Sequence, residues 1–250
     1  MNYLLSFLLF TASTFFISET EPEKKSELPQ SDVVIELFSS STCPGCAQSD
    51  ARIRSWLDEH PERDRIHIIK YPMWGPGAGC FFYHENPAPV MGRASYYGRI
   101  QRVPTAFVNG TNFGITIADW FETADTLLTT EPSLNISVNA KTNEALLEFD
   151  IEIKTLNGEP IPENSVLRSA LVESNIEHDA PNGSKIHDHV VRAMFPNTRG
   201  IELKPDNIIK IRFSEPINEN WDKDNLKIVL FVQQDTEEKI ILGSASTSIN

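Results

Sequence analysis

"FSSSTCPGCAQSDARIRSWL", residues 38–57, carries two cysteines three positions apart, with Pro44 and Gly45 between them. Just before the pair, "DVVIELF" (32–38) is a short, nearly continuous apolar run, the pattern of a strand covered on both faces. From Pro44 onward the period becomes helical. Ala47, Ala51, Ile53, Trp56 and Leu57 form one stripe, Asp50, Arg52, Arg54 and Asp58 fall largely outside it, and Pro61 ends the helix. The order is strand, Cys-x-x-Cys, helix. With Cys43 as the residue before the helix, Pro44 takes the first helical position, where a missing N–H costs nothing. The Cys46 N–H then points back at the Cys43 sulfur. A thiolate there meets unpaired amide donors and the positive end of the helix dipole. Both favour the charged form, which is the nucleophile and the good leaving group of disulfide exchange.

Two other readings of the pair stay open. A structural zinc site needs four ligands, usually two such pairs, and here there is no second pair. The remaining cysteine, Cys80, stands alone with His84 four residues on. It is either a third redox thiol or a buried apolar side chain. A purely structural disulfide between Cys43 and Cys46 would close a very small loop, with little entropic gain and some strain.

The chain has 250 residues, enough for two ordinary domains or one large one, and a formal net charge of −13. That balance excludes a basic surface able to neutralise phosphates, so no nucleic-acid partner is expected. The opening run "MNYLLSFLLFTASTFFIS" (1–18) is apolar and shorter than the ~20 residues that span a bilayer comfortably. It reads as a secretory signal peptide, followed by a charged linker over 19–31. A membrane association is expected only if this segment stays uncleaved. Export implies an oxidising compartment, in which a disulfide persists.

Further along, "RIHIIKY" (65–71) reads as a second strand. The Gly- and Pro-rich "PMWGPGAGCFFYHENPAP" reads as an irregular loop, and "APVMGRASYYG" as a short helix stopped by Gly98. "PTAFVNGTNFG" reads as a hairpin turning at Asn109-Gly110, and "ITIADWFETADTLLTT" as a helix. After Pro132 the character changes. "LNISVNA", "ALLEFDIEI", "VLRSALVES", "HDHVVRAMF", "IIKIRFSE", "LKIVLFVQQ" and "EKIILGSAST" alternate apolar and polar residues between turn signals. This predicts an antiparallel sandwich of about seven strands. Val103-Pro104 opens a strand, where proline is tolerated. A cis bond there would hold Pro104 beside the cysteines and free the Val103 backbone to pair with an extended segment.

"VVIELFSSSTCPGC", then "RVPTAFVNG", then a helix, resembles the thioredoxin fold over roughly residues 32 to 130. The series "GPGAG…FYHENP…YYG…VPTAFVNG" and the later "HDHVVRAMF" are similar to a narrower group of exported thioredoxin-like proteins with a C-terminal β-sandwich, the outer-membrane-protein-related family. The resemblance implies an α/β thioredoxin-like domain over 32–131 followed by an all-β antiparallel sandwich domain over 132–250. It also implies that Cys43 attacks, Cys46 resolves and Pro104 is the cis-proline. The chain departs from better-known thioredoxins in having Thr42 before the pair and Pro-Gly within it.

Glu36 lies inside the apolar strand, where a carboxylate needs a partner or a raised pKa. The resemblance implies that it helps deprotonate Cys46; the alternative is a strand-end residue reaching solvent. His187 and His189 are expected to share a strand face, with His178 and Glu173 near, as weak candidates for copper or zinc. No cofactor is expected. The leading expectation is an exported thiol–disulfide oxidoreductase whose partners are protein thiols and disulfides and a protein that recycles the pair. The alternatives are a non-catalytic surface or binding protein that uses its β-sandwich, or a copper-handling protein.

Overall fold

The computed structural model describes residues 30–249 except 78, 99, 113–115 and 144–145, so the expected signal peptide and the linker up to residue 29 lie outside the described residues. β1 (Val33–Ser39) and β2 (Ile66–Pro72) pair in parallel, Val33 opposite Ile66, and α1 (Pro44–Glu59) crosses between them. Every residue of both strands is buried, as unbroken apolar runs require. The stretch read as irregular contains one short helix, α2 (Phe81–Glu85), which sinks Phe82 into the protein. α3 (Pro87–Tyr96) opens on a proline in its first turn, and Gly98 just beyond its end has a φ of +88°. β3 (Thr105–Val108) lies antiparallel to β1. α4 (Ile117–Leu128) begins with a capping box, in which Thr116 Oγ1 accepts the Asp119 N–H and the Asp119 carboxylate accepts the Thr116 N–H.

Ten strands follow: β4 (Leu134–Asn143), β5 (Leu146–Thr155), β6 (Ser165–Glu173), β7 (Ile176–Glu177), β8 (Ile186–His187), β9 (Val190–Phe195), β10 (Ile201–Glu202), β11 (Ile208–Pro216), β12 (Leu226–Gln234) and β13 (Ile241–Ser248). The segments read as strands contain strands, with "HDHVVRAMF" broken at His189 between β8 and β9, but their partners differ from expectation. Of these, β11, β5 and β4 form a separate three-stranded sheet, in that order, and β7 and β8 pair only with each other. β6, β9, β12 and β13 join β1–β3 in one eight-stranded sheet ordered β13-β12-β6-β9-β2-β1-β3, with β10 beside β6. The seam is β2–β9, parallel, with Lys70 opposite Val190. In place of an α/β domain followed by an independent all-β sandwich, one mixed sheet runs through both halves. The reason is visible in β6, buried at every position, and in β12, buried at nearly every position. Such strands need cover on both faces, which a two-layer sandwich would not supply.

That cover comes from three sources. On one face, α1 and α4 pack against Val33, Ile35, Leu37, Ile66 and Ile68. Farther along, the small sheet packs Phe149, Ile151 and Ile153 against Leu167, Leu171, Ile228 and Leu230. On the other face, Val34, Phe38, Ile69, Tyr71, Val172, Val229 and Phe231 enclose Val90 of α3. The sheet curls around this helix until its ends meet, and the Ile241 N–H donates to the Asn109 carbonyl at 3.1 Å. The turn at that corner has positive φ at both Asn109 and Gly110, 44° and 87°. A Cβ on Gly110 would stand 1.8 Å from the Lys239 carbonyl oxygen, so only glycine fits. Among the described residues no helix is long and apolar enough to cross a membrane.

Candidate functional site

Cys43 is the N-cap of α1, in extended conformation, and Pro44 follows in the first turn. The Cys46 N–H donates to the Cys43 sulfur at 3.2 Å. The loop that carries Cys43 is folded by its own polar groups: the Cys43 N–H donates to the Ser40 carbonyl (3.2 Å), and Ser40 and Thr42 share a hydroxyl hydrogen bond (2.9 Å). The Thr42 hydroxyl also donates to the Pro76 carbonyl, which ties this loop to the Gly- and Pro-rich segment. Val103-Pro104 is cis. The Cys43 thiol lies 3.7 Å from the Val103 carbonyl oxygen. Pro104 is close by, since a Cβ on Gly45 would stand 3.9 Å both from the Cys43 sulfur and from Pro104 Cδ. Cys43 keeps 7% of its surface exposed, whereas Cys46 and Cys80 keep none. All three are free thiols.

The two cysteines of the pair are unequal. Burial, and next the hydrogen bond to Cys43, push the Cys46 thiol up to about 12, against smaller opposing effects from Ser39 and the Ser40 backbone. At pH 8 only about one Cys46 in 10⁴ is then a thiolate. Iodoacetamide at that pH is therefore expected to alkylate the reduced protein once, at Cys43, as read by peptide mass spectrometry. Labelling of Cys46 at a comparable rate would show that the pair is not divided in this way.

Glu36 does not serve Cys46. It alternates with Val34 and Phe38 along β1 and so faces α3, while α1 packs on the opposite face of the strand. There, fully buried, Glu36 accepts from Arg93 Nε (2.8 Å), Arg93 Nη2 (2.7 Å), the Tyr71 hydroxyl (2.9 Å) and the Tyr97 hydroxyl. Arg93 Nη2 also donates to Gln233 of β12 at 3.0 Å. Burial alone raises the Glu36 carboxyl, but the charge and hydrogen bonds of Arg93, with the two tyrosines, bring it below the ordinary value.

A carboxylate that does lie on the α1 side of the sheet is Asp50, which reads in the sequence as part of a solvated helix face. It sits one turn beyond Cys46 on α1. Asp50 Oδ2 pairs with Lys70 Nζ of β2 at 2.9 Å, and Oδ1 has no partner among the described residues. Asp50, Lys70, Ser39, Ser41 and His187 line a cavity of about 10 Å³, room for one water molecule. The sequence signal was present in the four-residue spacing from Cys46 and in a lysine inside an apolar strand.

His187 and His189 do not share a strand face. β8 ends at His187, and His189 turns the corner into β9 with a φ of 59°. His187 Nε2 donates to the His178 carbonyl (3.0 Å). Burial lowers His187 and, with Lys70 nearby, brings His189 down to about 4. Glu173 is taken by Arg192 at 2.6 Å. Among the described residues no group of three or more His, Cys, Asp or Glu side chains could hold a metal ion.

The outer membrane protein family Omp28 matches residues 94–245, a span that begins after the cysteine pair. Among solved structures, HBP35 of Porphyromonas gingivalis superposes with a TM-score of 0.73 at 16% identity, over 88% of this chain and 76% of that one. Protein AGR_C_4864 from Agrobacterium tumefaciens superposes with a TM-score of 0.55 at 16% identity, over 88% of this chain and 95% of that one. At such identity the likeness is one of fold. No curated protein gives a significant sequence match.

Proposed function

The chain belongs to the outer membrane protein Omp28 family, and from that premise we propose an exported thiol–disulfide exchange protein working through Cys43 and Cys46. As a family member it is an exported protein. We read the elements from β1 to α4 as thioredoxin-like. The observation that carries the proposal is the Cys46 N–H held 3.2 Å from the Cys43 sulfur at the start of α1, with Cys43 the one residue of the three that keeps any exposed surface.

In the forward direction the Cys43 thiolate attacks one sulfur of a substrate disulfide. The S–S bond breaks, the second substrate sulfur leaves as a thiolate and takes a proton, and a mixed disulfide remains. Cys46 then loses its proton, for which Asp50 is the nearest carboxylate along α1, and attacks the Cys43 sulfur. The Cys43–Cys46 bond forms, the first substrate sulfur is released, and two electrons have passed to the substrate. The reverse sequence oxidises a dithiol. Protein thiols and disulfides are the substrates, and a redox partner recycles the pair.

A second reading is a surface or binding protein whose cysteines are incidental. It draws on the family match itself, which covers 94–245 and leaves the pair outside. Equilibration in defined glutathione buffers separates the two. Exchange predicts one two-electron transition, a monomer two hydrogens lighter by mass, with a potential between about −270 and −120 mV. A pair that stays reduced across that range, or that oxidises only between chains, removes the exchange reading.

A further inference from the structure

The loop that presents Cys43 is held by a residue far away in the chain. β7 and β8 form a small hairpin, Ile176 opposite His187, whose turn reaches the cysteine loop. At its tip the Asn182 backbone N–H donates to the Ser41 carbonyl at 3.1 Å. The Asn182 side-chain amide donates from Nδ2 to the Ser40 carbonyl (3.3 Å) and to the Cys43 carbonyl (3.2 Å). Its Oδ1 accepts the Ser184 N–H at 3.0 Å. Every donor of the amide is therefore used, and the network fixes which way the amide faces.

The hairpin itself is braced. Ala180 and Ser184 close the turn (N–H to carbonyl, 2.9 Å), and His178 pairs with Lys185 (2.9 Å). The His178 ring stacks on Phe81 with centroids 4.3 Å apart. Behind the hairpin, Asp188 pairs with Arg54 of α1, and the His189 carbonyl accepts the Lys70 N–H at 2.8 Å. Asn182 thus bears on the cysteine loop from a firm support.

We propose that Asn182 is a positioning residue for disulfide exchange, an amide that fixes the Cys43 backbone so that the Cys46 N–H stays aimed at the Cys43 sulfur. The same Cys43 carbonyl accepts the N–H groups of Cys46 and Ala47, so fixing it fixes the first turn of α1. The consequence for turnover rests on the exchange reading; the effect on the sulfur does not. The chemistry demands an amide. An aspartate has the same shape, but it would set a charged oxygen against two carbonyl oxygens and place a negative charge within one residue of the thiolate.

The test compares full-length wild type with Asn182→Asp and Asn182→Ala. Iodoacetamide is the probe, Cys43 labelling is followed by peptide mass spectrometry across pH, and thermal unfolding is recorded in parallel. Asn182→Asp is expected to label about tenfold more slowly at neutral pH, with the half-maximal rate about one pH unit higher. Asn182→Ala, which loses all three side-chain hydrogen bonds without adding charge, is expected to slow labelling about threefold. Profiles that match wild type in both variants overturn the proposal. Equal shifts in both also overturn it, because a merely structural loosening would not distinguish the charge. If Asn182→Asp fails to fold, the alanine variant is read together with its thermal midpoint: slower labelling at an unchanged midpoint supports the assignment, and unchanged labelling, or slowing only alongside a lowered midpoint, removes it. Wild type that labels at Cys43 yet never equilibrates with glutathione would sink the exchange reading and leave this one standing.

Discussion

Cys43→Ser is expected to reduce exchange with a dithiol or disulfide peptide to the background rate, a loss of roughly three orders of magnitude or more. Cys46 and Cys80 cannot replace it, because both are fully buried and Cys46 is held protonated by its surroundings. A serine at 43 keeps the N-cap, since a hydroxyl oxygen accepts the same N–H, so the thermal midpoint should change little. The complementary variant, Cys46→Ser, leaves the attacking sulfur in place and removes the one that resolves. It is expected to accumulate mixed disulfides with protein partners, visible as adducts that collapse on reduction. Exchange that survives Cys43→Ser, or a Cys46→Ser protein that traps nothing, would eliminate the pair as the working group.

Arg93→Met is expected to destabilise the protein by about 3–5 kcal/mol. That is a large part of the ~5–15 kcal/mol holding a typical domain folded. The Arg93–Glu36 pair is closed to solvent on both sides and joins β1, β2, α3 and β12 through Tyr71, Tyr97 and Gln233. Removing the guanidinium strands a carboxylate in the core, whereas replacing both partners, Arg93→Met with Glu36→Leu, should recover much of the loss. Acid titration supplies a sharper check. In the wild type the Glu36 carboxyl lies below its ordinary value of 4.5. As pH falls below that value, the unfolded chain takes up the proton first. The pair's contribution is thus complete at neutral pH and is lost as pH falls through the depressed folded value. In Arg93→Met, burial acts without its counterweight and raises the carboxyl, so the slope reverses and mild acid stabilises the variant relative to neutral pH. Urea midpoints at pH 7, pH 5 and pH 3.5 for both proteins measure this, the first step reading the variant and the second the wild type. Equal slopes would show that Glu36 does not depend on Arg93.

Local rules in the sequence were enough to place α1 on Cys43, the turn on Asn109-Gly110 and the end of α3 before Gly98, because each rests on the geometry of a few adjacent residues. Pairing was harder to read. Alternation marks a strand and a buried face, but it does not say which neighbour completes the sheet. β12 carried a hint in its unbroken apolar run from Ile228 to Val232, more than a strand with one wet face needs, whereas β6 interrupts its apolar residues with Arg168 and Ser169. Glu36 was misplaced because β1 is apolar on both faces, so nothing in the run says which side a lone carboxylate takes. Asp50 was set aside as surface because its partner, Lys70, is on another element. Asn182 left no local signal, since the loop it holds lies in the opposite half of the chain.

The meeting of the sheet's two ends at Asn109 and Ile241 bears on life outside the cell's interior, where chaperones that run on ATP do not reach. A strand with bare amides invites a second molecule to zip onto it, and amyloid-like stacking begins in that way. Here that corner is fastened to the chain's own backbone. Of the small sheet's two outer strands, β11 and β4, β11 carries Lys210 and Arg212 in ion pairs with Glu152 and Asp150, so a would-be neighbour there meets a salted border in place of a sticky one.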